Sequence, residues 1–156
     1  IVLGAFAGLR SAEIERLNWE DLNFDESHIV VGKDKAKTAS RRVVPIWDNC
    51  AEWLAQYQNF TGDIWRGDES KFHKTQRSIA ESAGVAWKSN ALRHSYASYR
   101  FAQTSDAGRV AGELGNTASV VHKHYRALVS AKQAEKWFSI RPDSALKNVI
   151  KLKNAS

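Results

Sequence analysis

Apolar residues recur at three- and four-residue spacing along most of this chain, the mark of helices with one buried face, and alternate with polar ones mainly between His28 and Ile46. Ser11 is placed to cap a helix over Ala12 to Trp19, with Glu13 and Glu15 in a first turn whose dipole favours anions and Ile14 and Leu17 along one face. After Asp21 to Ser27 the pattern becomes extended. His28 to Val31 and Arg41 to Ile46 are rich in β-formers, and Gly32 to Ser40 between them predicts a hairpin connection. Helical spacing resumes from Asp48 to about Tyr57, where Trp53, Leu54 and Tyr57 share a face, and again from about Ser70 to Ala83 after a Gly- and Asp-rich loop. The remainder predicts helices over Asn90 to Ala102, Asp106 to Leu114, Thr117 to Arg126 and Ser130 to Phe138, the last opened by the capping-box pair Ser130 and Gln133. Gly115 and Asn116 end one helix and begin the next. The predicted fold is α+β and mainly helical: roughly seven helices around one small antiparallel sheet over about residues 28–46. Residues 1–140 are expected to form one domain. Residues 141–156 form a tail in which Leu146, Val149, Ile150 and Leu152 lie among lysines, a pattern suited to docking in a groove.

Composition narrows the possible partners. With 156 residues, 43% of them hydrophobic and six tryptophans, the chain can bury a substantial core, and Trp19, Trp47, Trp53, Trp65, Trp87 and Trp137 are candidates for it. A formal net charge of +6 and a pI near 9.6 point to a polyanion. Cys50 is the single cysteine, which excludes an internal disulfide framework and a thiolate metal cluster and fits a reducing cytoplasm. The apolar opening Ile1 to Leu9 is too short to span a bilayer and is interrupted by Gly4 and Gly8, so no membrane role is expected. No methionine occurs and the chain opens on Ile1, as expected of an excerpt from a longer protein.

Three residues supply the chemistry, Arg10 at a helix entrance and Arg93 and Tyr125 within separate predicted helices. A guanidinium is permanently charged and forks onto two phosphate oxygens, so Arg10 and Arg93 together can hold a phosphodiester and absorb the charge that builds as it becomes pentacoordinate. Tyr125, nine residues after Asn116, is the matching nucleophile. The basic run Lys33, Lys35, Lys37, Arg41 and Arg42, offset only by Asp34, lies in and beside the predicted hairpin connection. Taken singly, each residue has an ordinary structural explanation; Arg93, for instance, could pair with Glu13 in the interior. No His, Cys and Asp cluster has metal-ligand spacing, no Gly-rich loop precedes a Lys-Ser or Lys-Thr, and no serine elbow occurs, so neither a metal nor another cofactor is expected.

Four motifs in order make the pattern specific: Gly8-Leu9-Arg10-Ser11-Ala12-Glu13-Ile14, Lys37-Thr38 followed by Pro45, Ala91-Leu92-Arg93-His94-Ser95-Tyr96-Ala97, and Leu114-Gly115-Asn116 ahead of Tyr125. Together they resemble the catalytic domain of the tyrosine site-specific recombinases, the phage-integrase family, from Ile1 to about Phe138. The resemblance implies that Arg10 and Arg93 bind the scissile phosphate and that Tyr125 becomes linked to a DNA 3′-phosphate. It also implies that Lys37, eight residues before Pro45, protonates the departing 5′-oxygen in preference to Lys33 or Lys35, and that Glu13 orients Arg10. It further implies double-stranded DNA as partner, contacted by Lys33, Lys35, Arg41 and Arg42, and four protomers on two duplexes with the tail packed on a neighbour or folded back. In the family, further helices and a separate helical DNA-clamping domain precede the first arginine.

Two positions depart from the family pattern. Asn90 and Asn116 stand where histidine, or at the second position histidine or tryptophan, is usual. An amide can donate to a phosphate oxygen but cannot shuttle a proton. His122, three residues before Tyr125 on the same predicted helix, is the compensating base that spacing suggests, whereas His94 is read as structural because adjacent helix positions diverge by about 100°. The rival readings are a DNA-binding or assembly homologue that lost turnover with its histidines, and a topoisomerase-like enzyme that relaxes DNA.

Overall fold

The computed structural model describes residues 1–35, 41–125 and 129–142. Eight α-helices and one three-stranded sheet appear among them, with 3₁₀ turns at Trp19–Asp21 and Ala55–Tyr57. The helices are α1 (Val2–Phe6), α2 (Ser11–Ile14), α3 (Asp48–Leu54), α4 (Glu69–Ser82), α5 (Ala91–Thr104), α6 (Ala107–Leu114), α7 (Ala118–Tyr125) and α8 (Ala131–Phe138). The strands are β1 (Leu22–Asn23), β2 (His28–Val31) and β3 (Arg42–Pro45), antiparallel in the order β1-β2-β3. Val30 pairs with Val43 and Val31 with Arg42. The α+β, mainly helical class is therefore as expected, with two differences at the start of the chain.

The apolar opening forms α1, which buries Leu3, Ala5 and Phe6. The helix expected from Ala12 to Trp19 stops at Ile14, and Arg10 rather than Ser11 occupies its cap position, with Glu13 Oε2 accepting from the Arg10 backbone N–H at 2.8 Å. The capping box at α8 is as the sequence indicates. The Ser130 hydroxyl accepts from Gln133 N, while Gln133 Oε1 accepts from Ser130 N. The Ala145 to Leu152 tail lies outside the described residues.

Two apolar clusters build the interior. One gathers Leu3, Phe6, Leu9, Ile14, Leu17, Ile29, Val31, Val44, Ile46 and Leu54 around the sheet, α1 and α3; the other gathers Tyr96, Val110, Leu114, Val121 and Tyr125 among α5, α6 and α7. A polar network joins the loop after β3 to the second cluster. Trp47 Nε1 donates to Tyr96 Oη at 3.2 Å, Tyr96 Oη donates to Glu113 Oε2 at 2.8 Å, and Arg100 grips Glu113 from Nε and Nη2 while lying 4.1 Å over the Trp47 ring. This network fixes the roll of α6, and the C-terminal end of α6 is where the site is assembled.

Gly8 turns the chain from α1 into Arg10. Its φ is +64°, and a Cβ there would stand 2.9 Å from Leu114 Cδ2 and closer still to the Tyr96 ring. Gly8→Ala should therefore cost about 2–4 kcal/mol, combining left-handed strain with overpacking against a fully buried tyrosine. Urea titration checks this. A change within about 0.5 kcal/mol of the parent would mean that the turn relaxes freely.

Candidate active site

The last carbonyls of a helix have no intrahelical partner and carry the negative end of its dipole. At α6 these groups hold three arginines. Arg42 Nε donates to Glu113 O at 3.1 Å, Arg93 Nη2 to Leu114 O at 2.7 Å, and Arg10 to Leu114 O at 3.4 Å and Gly115 O at 3.3 Å. Gly115, at φ +63°, closes the helix with no side chain, and a Cβ there would press within 3.2 Å of Arg42 Cδ. Arg93 also donates from Nη1 to Gly8 O at 2.6 Å, so the turn after α1 and the end of α6 clamp the same guanidinium.

Both predicted phosphate-binding arginines reach one atom. Asn116 Oδ1 accepts from Arg10 Nη2 at 3.0 Å and from Arg93 Nη2 at 3.4 Å. A cleft lined by Arg10, Ser11, Asn90, Arg93, His94, Asn116 and Tyr125 opens over them, and Glu15, Glu69 and His73 line it too. Arg93 is buried, and burial, with Arg10's charge beside it, pushes its guanidinium down to about 10, still cationic at neutral pH. Burial lifts the Tyr125 hydroxyl above the ordinary phenol range, although the charges of Arg93 and Arg10 pull the other way.

Glu13 meets Arg10, as expected, and a second arginine that was not. Its Oε1 accepts from Arg10 Nη1 at 2.8 Å and Arg42 Nη1 at 2.9 Å, and its Oε2 from Arg42 Nη2 at 2.6 Å. Burial pushes the Glu13 carboxyl upward, but the bonds from Arg42 and Arg10 outweigh it and hold the group below the usual carboxylate range. Arg42 is thus an interior residue rather than a DNA-facing one, and it is Arg42, not Arg93, that pairs with Glu13. Strand alternation is the reason: Arg42 and Val44 face inward while Val43 faces solvent, a period already legible in Arg41 to Ile46.

The remaining predicted residues divide. Lys35 pairs with Asp21 and is largely covered, which removes it from the free basic face. Lys33 and Arg41 are exposed. Lys37 lies outside the described residues. Asn90 lines the cleft from a left-handed position ahead of α5, a conformation asparagine tolerates. His122 does not serve Tyr125. On α7 the buried face runs through Val121 and Tyr125, leaving His122 exposed at its flank, with its ring 6.3 Å from Phe101.

His94 is the residue that sequence reasoning set aside. Its Nδ1 lies 2.9 Å from Tyr125 Oη, with the ring centroids 5.7 Å apart. The divergence between Arg93 and His94 is real, but Arg93 reaches the carbonyl of Leu114 at the end of α6 while His94 reaches Tyr125 on α7, and both side chains line the cleft. Among the described residues no group of three or more His, Cys, Asp or Glu side chains is gathered as a metal site would require, and no helix is long and apolar enough to cross a membrane.

The family model described as "Phage integrase family" matches residues 3–130. No curated protein matches the chain. Among solved structures, the XerA recombinase is similar at 22% identity and a TM-score of 0.69, over 90% of this chain and 56% of that one. The integrase of mycobacterium phage Brujita is similar at 21% identity and a TM-score of 0.64, over 93% and 53%. The Tn1549 transposon integrase, solved with a circular-intermediate DNA, is similar at 16% identity and a TM-score of 0.57, over 86% and 56%. At these identities the likeness is one of fold, and the chain spans little more than half the length of each.

Proposed function

This chain belongs to the phage integrase family, and from that premise we propose that it cuts and rejoins duplex DNA strands in site-specific recombination through a tyrosine-linked intermediate. The observation that carries the reading is the convergence of Arg10 and Arg93 on Asn116 Oδ1 within the cleft that Tyr125 lines. Two guanidinium groups that share one carbonyl oxygen are set to share a phosphate oxygen, and they are pre-oriented by the α6 carbonyls and by Glu13.

In the proposed reaction Arg10 and Arg93 fork onto the scissile phosphate and the Tyr125 oxygen attacks phosphorus in line. The bond to the 5′-oxygen breaks as Lys37 protonates that oxygen, leaving a 3′-phosphotyrosyl ester. The ester conserves the bond energy, so a 5′-hydroxyl reverses the step without ATP. The Asn116 amide nitrogen is available as a neutral donor to the phosphate. Phosphate contacts from the exposed basic residues flanking the hairpin, Lys33 and Arg41, supply affinity that falls steeply with salt. Residues 1–140 act as the catalytic unit, and four copies assemble on two duplexes.

A DNA substrate nicked just beside the cleavage site tests this, because the short 5′-fragment diffuses away and traps the ester. With the full-length protein, the expected result is a covalent protein–DNA adduct whose peptide maps to Tyr125. DNA binding without any adduct would favour the assembly homologue, and relaxation of plasmids lacking specific sites would favour the topoisomerase-like reading.

A further inference from the structure

The geometry points to His94 as the catalytic residue that takes the Tyr125 phenol proton on its Nδ1 during strand cleavage, the task left open where Asn90 and Asn116 replace histidines. This rests on the strand-cleavage reading above and adds a residue to it. Tyr125 Oη and His94 Nδ1 stand 2.9 Å apart, within reach for direct transfer. For the phenol to donate, Nδ1 must carry a lone pair, so the neutral ring holds its proton on Nε2. Among the described residues, His94 is the only side chain that bonds the Tyr125 hydroxyl. Asn116 Oδ1 already accepts from Arg10 and Arg93, the Asn90 amide has no basic atom, and His122 faces Phe101. The ring of His124, the preceding residue, lies 6.5 Å from that of Tyr125 between centroids and makes no described bond to its hydroxyl.

The surroundings suit this role. Facing the pair are Arg93 from α5, Arg10 and Glu15 from the α2 region, Glu69 and His73 from α4, and His124 from α7. The two guanidinium groups stabilise the oxyanion as the proton leaves, and burial, which makes the phenol a weaker acid, makes an acceptor necessary. His94 is exposed while Tyr125 is buried, so a proton taken from the phenol has a path to solvent. In the step, the Tyr125 O–H bond breaks and Nδ1–H forms as the oxygen bonds to phosphorus and the 5′-oxygen departs with the proton from Lys37. Resealing reverses each transfer, the imidazolium returning its proton to the tyrosine oxygen.

Single-turnover cleavage of the nicked substrate by the full-length protein, measured from neutral to alkaline pH, tests the assignment. His94→Ala should slow adduct formation about 10²- to 10⁴-fold at neutral pH. The variant's rate should then climb about tenfold per pH unit as hydroxide takes over the ionisation, closing the gap to the parent, while DNA affinity changes less than about twofold. Added imidazole should restore part of the rate. His94→Gln, which keeps a hydrogen-bonding side chain of similar reach, should be as slow as the alanine variant. Parental rates and pH profile in His94→Ala, or full activity in His94→Gln, would make His94 a prop and overturn the assignment with the strand-cleavage reading intact. Absence of any adduct from the parent, or an adduct mapping away from Tyr125, would bring down that reading and the assignment together.

Discussion

Tyr125→Phe should form no covalent complex with nicked DNA, a rate loss of at least ~10⁴-fold, while melting and DNA affinity remain close to the parent's. The two halves of this expectation have separate physical origins. The Tyr125 ring belongs to the apolar cluster with Val121, Leu114 and Tyr96, and phenylalanine fills the same volume. The hydroxyl, by contrast, bonds only the exposed His94 ring among the described residues, so its removal should cost within about 0.5–1.5 kcal/mol. On the proposed function, DNA affinity would come from cationic contacts with phosphates that the substitution leaves in place. A persistent adduct would mean that another group attacks. A melting loss of several kcal/mol would mean that the hydroxyl holds the fold together.

Periodicity located most elements because each one's burial is local: Trp53 and Leu54 on α3, Val110 and Leu114 on α6, and the paired strands over 28–31 and 42–45 follow from spacing alone. Its misses are physical too. The opening run was judged only as a membrane segment, yet five residues suffice for one helical turn pinned by Leu3 and Phe6 against the core. Ser11 looked like the stronger cap, but Glu13 bonds the Arg10 backbone and sets the helix one residue earlier.

The site was legible as a set of residues and not as a geometry. Motif order picked out Arg10, Arg93, Asn116 and Tyr125, and all four line one cleft. That the end of α6 gathers three guanidinium groups is invisible in spacing, because the carbonyls belong to every residue alike and only tertiary packing aims them. Arg42 could have been found, since the alternation that buries Val44 also buries position 42. It was masked by the basic run around it, in which charge outweighed period. His94 was lost to a sound rule about neighbouring helix positions that assumed one target where the fold supplies two.

Glu13→Gln should be the most destabilising conservative change in the site, costing about 3–5 kcal/mol at neutral pH. The carboxylate is fully buried, and its two oxygens accept four bonds: from the Arg10 backbone and side chain and from both terminal nitrogens of Arg42. A glutamine offers one oxygen, and whichever way the amide turns, its NH₂ meets donors. Two guanidinium groups would then face each other without their counter-charge. Because Arg42 sits on β3, its release loosens that strand, and Arg10 loses its aim at Asn116. Strand cleavage should therefore fall together with stability. The pH dependence separates this cause from mere loss of packing. The folded carboxyl is held below its unfolded value of about 4.3, so its contribution is complete above that value and is lost as pH falls through the lower folded value. Urea titrations of parent and variant should differ most at neutral pH and draw together as pH falls below about 4, where the unfolded chain takes up a proton that the folded carboxylate still resists. A gap that stays constant down to pH 3 would show that shape rather than charge holds Arg10 and Arg42 in place.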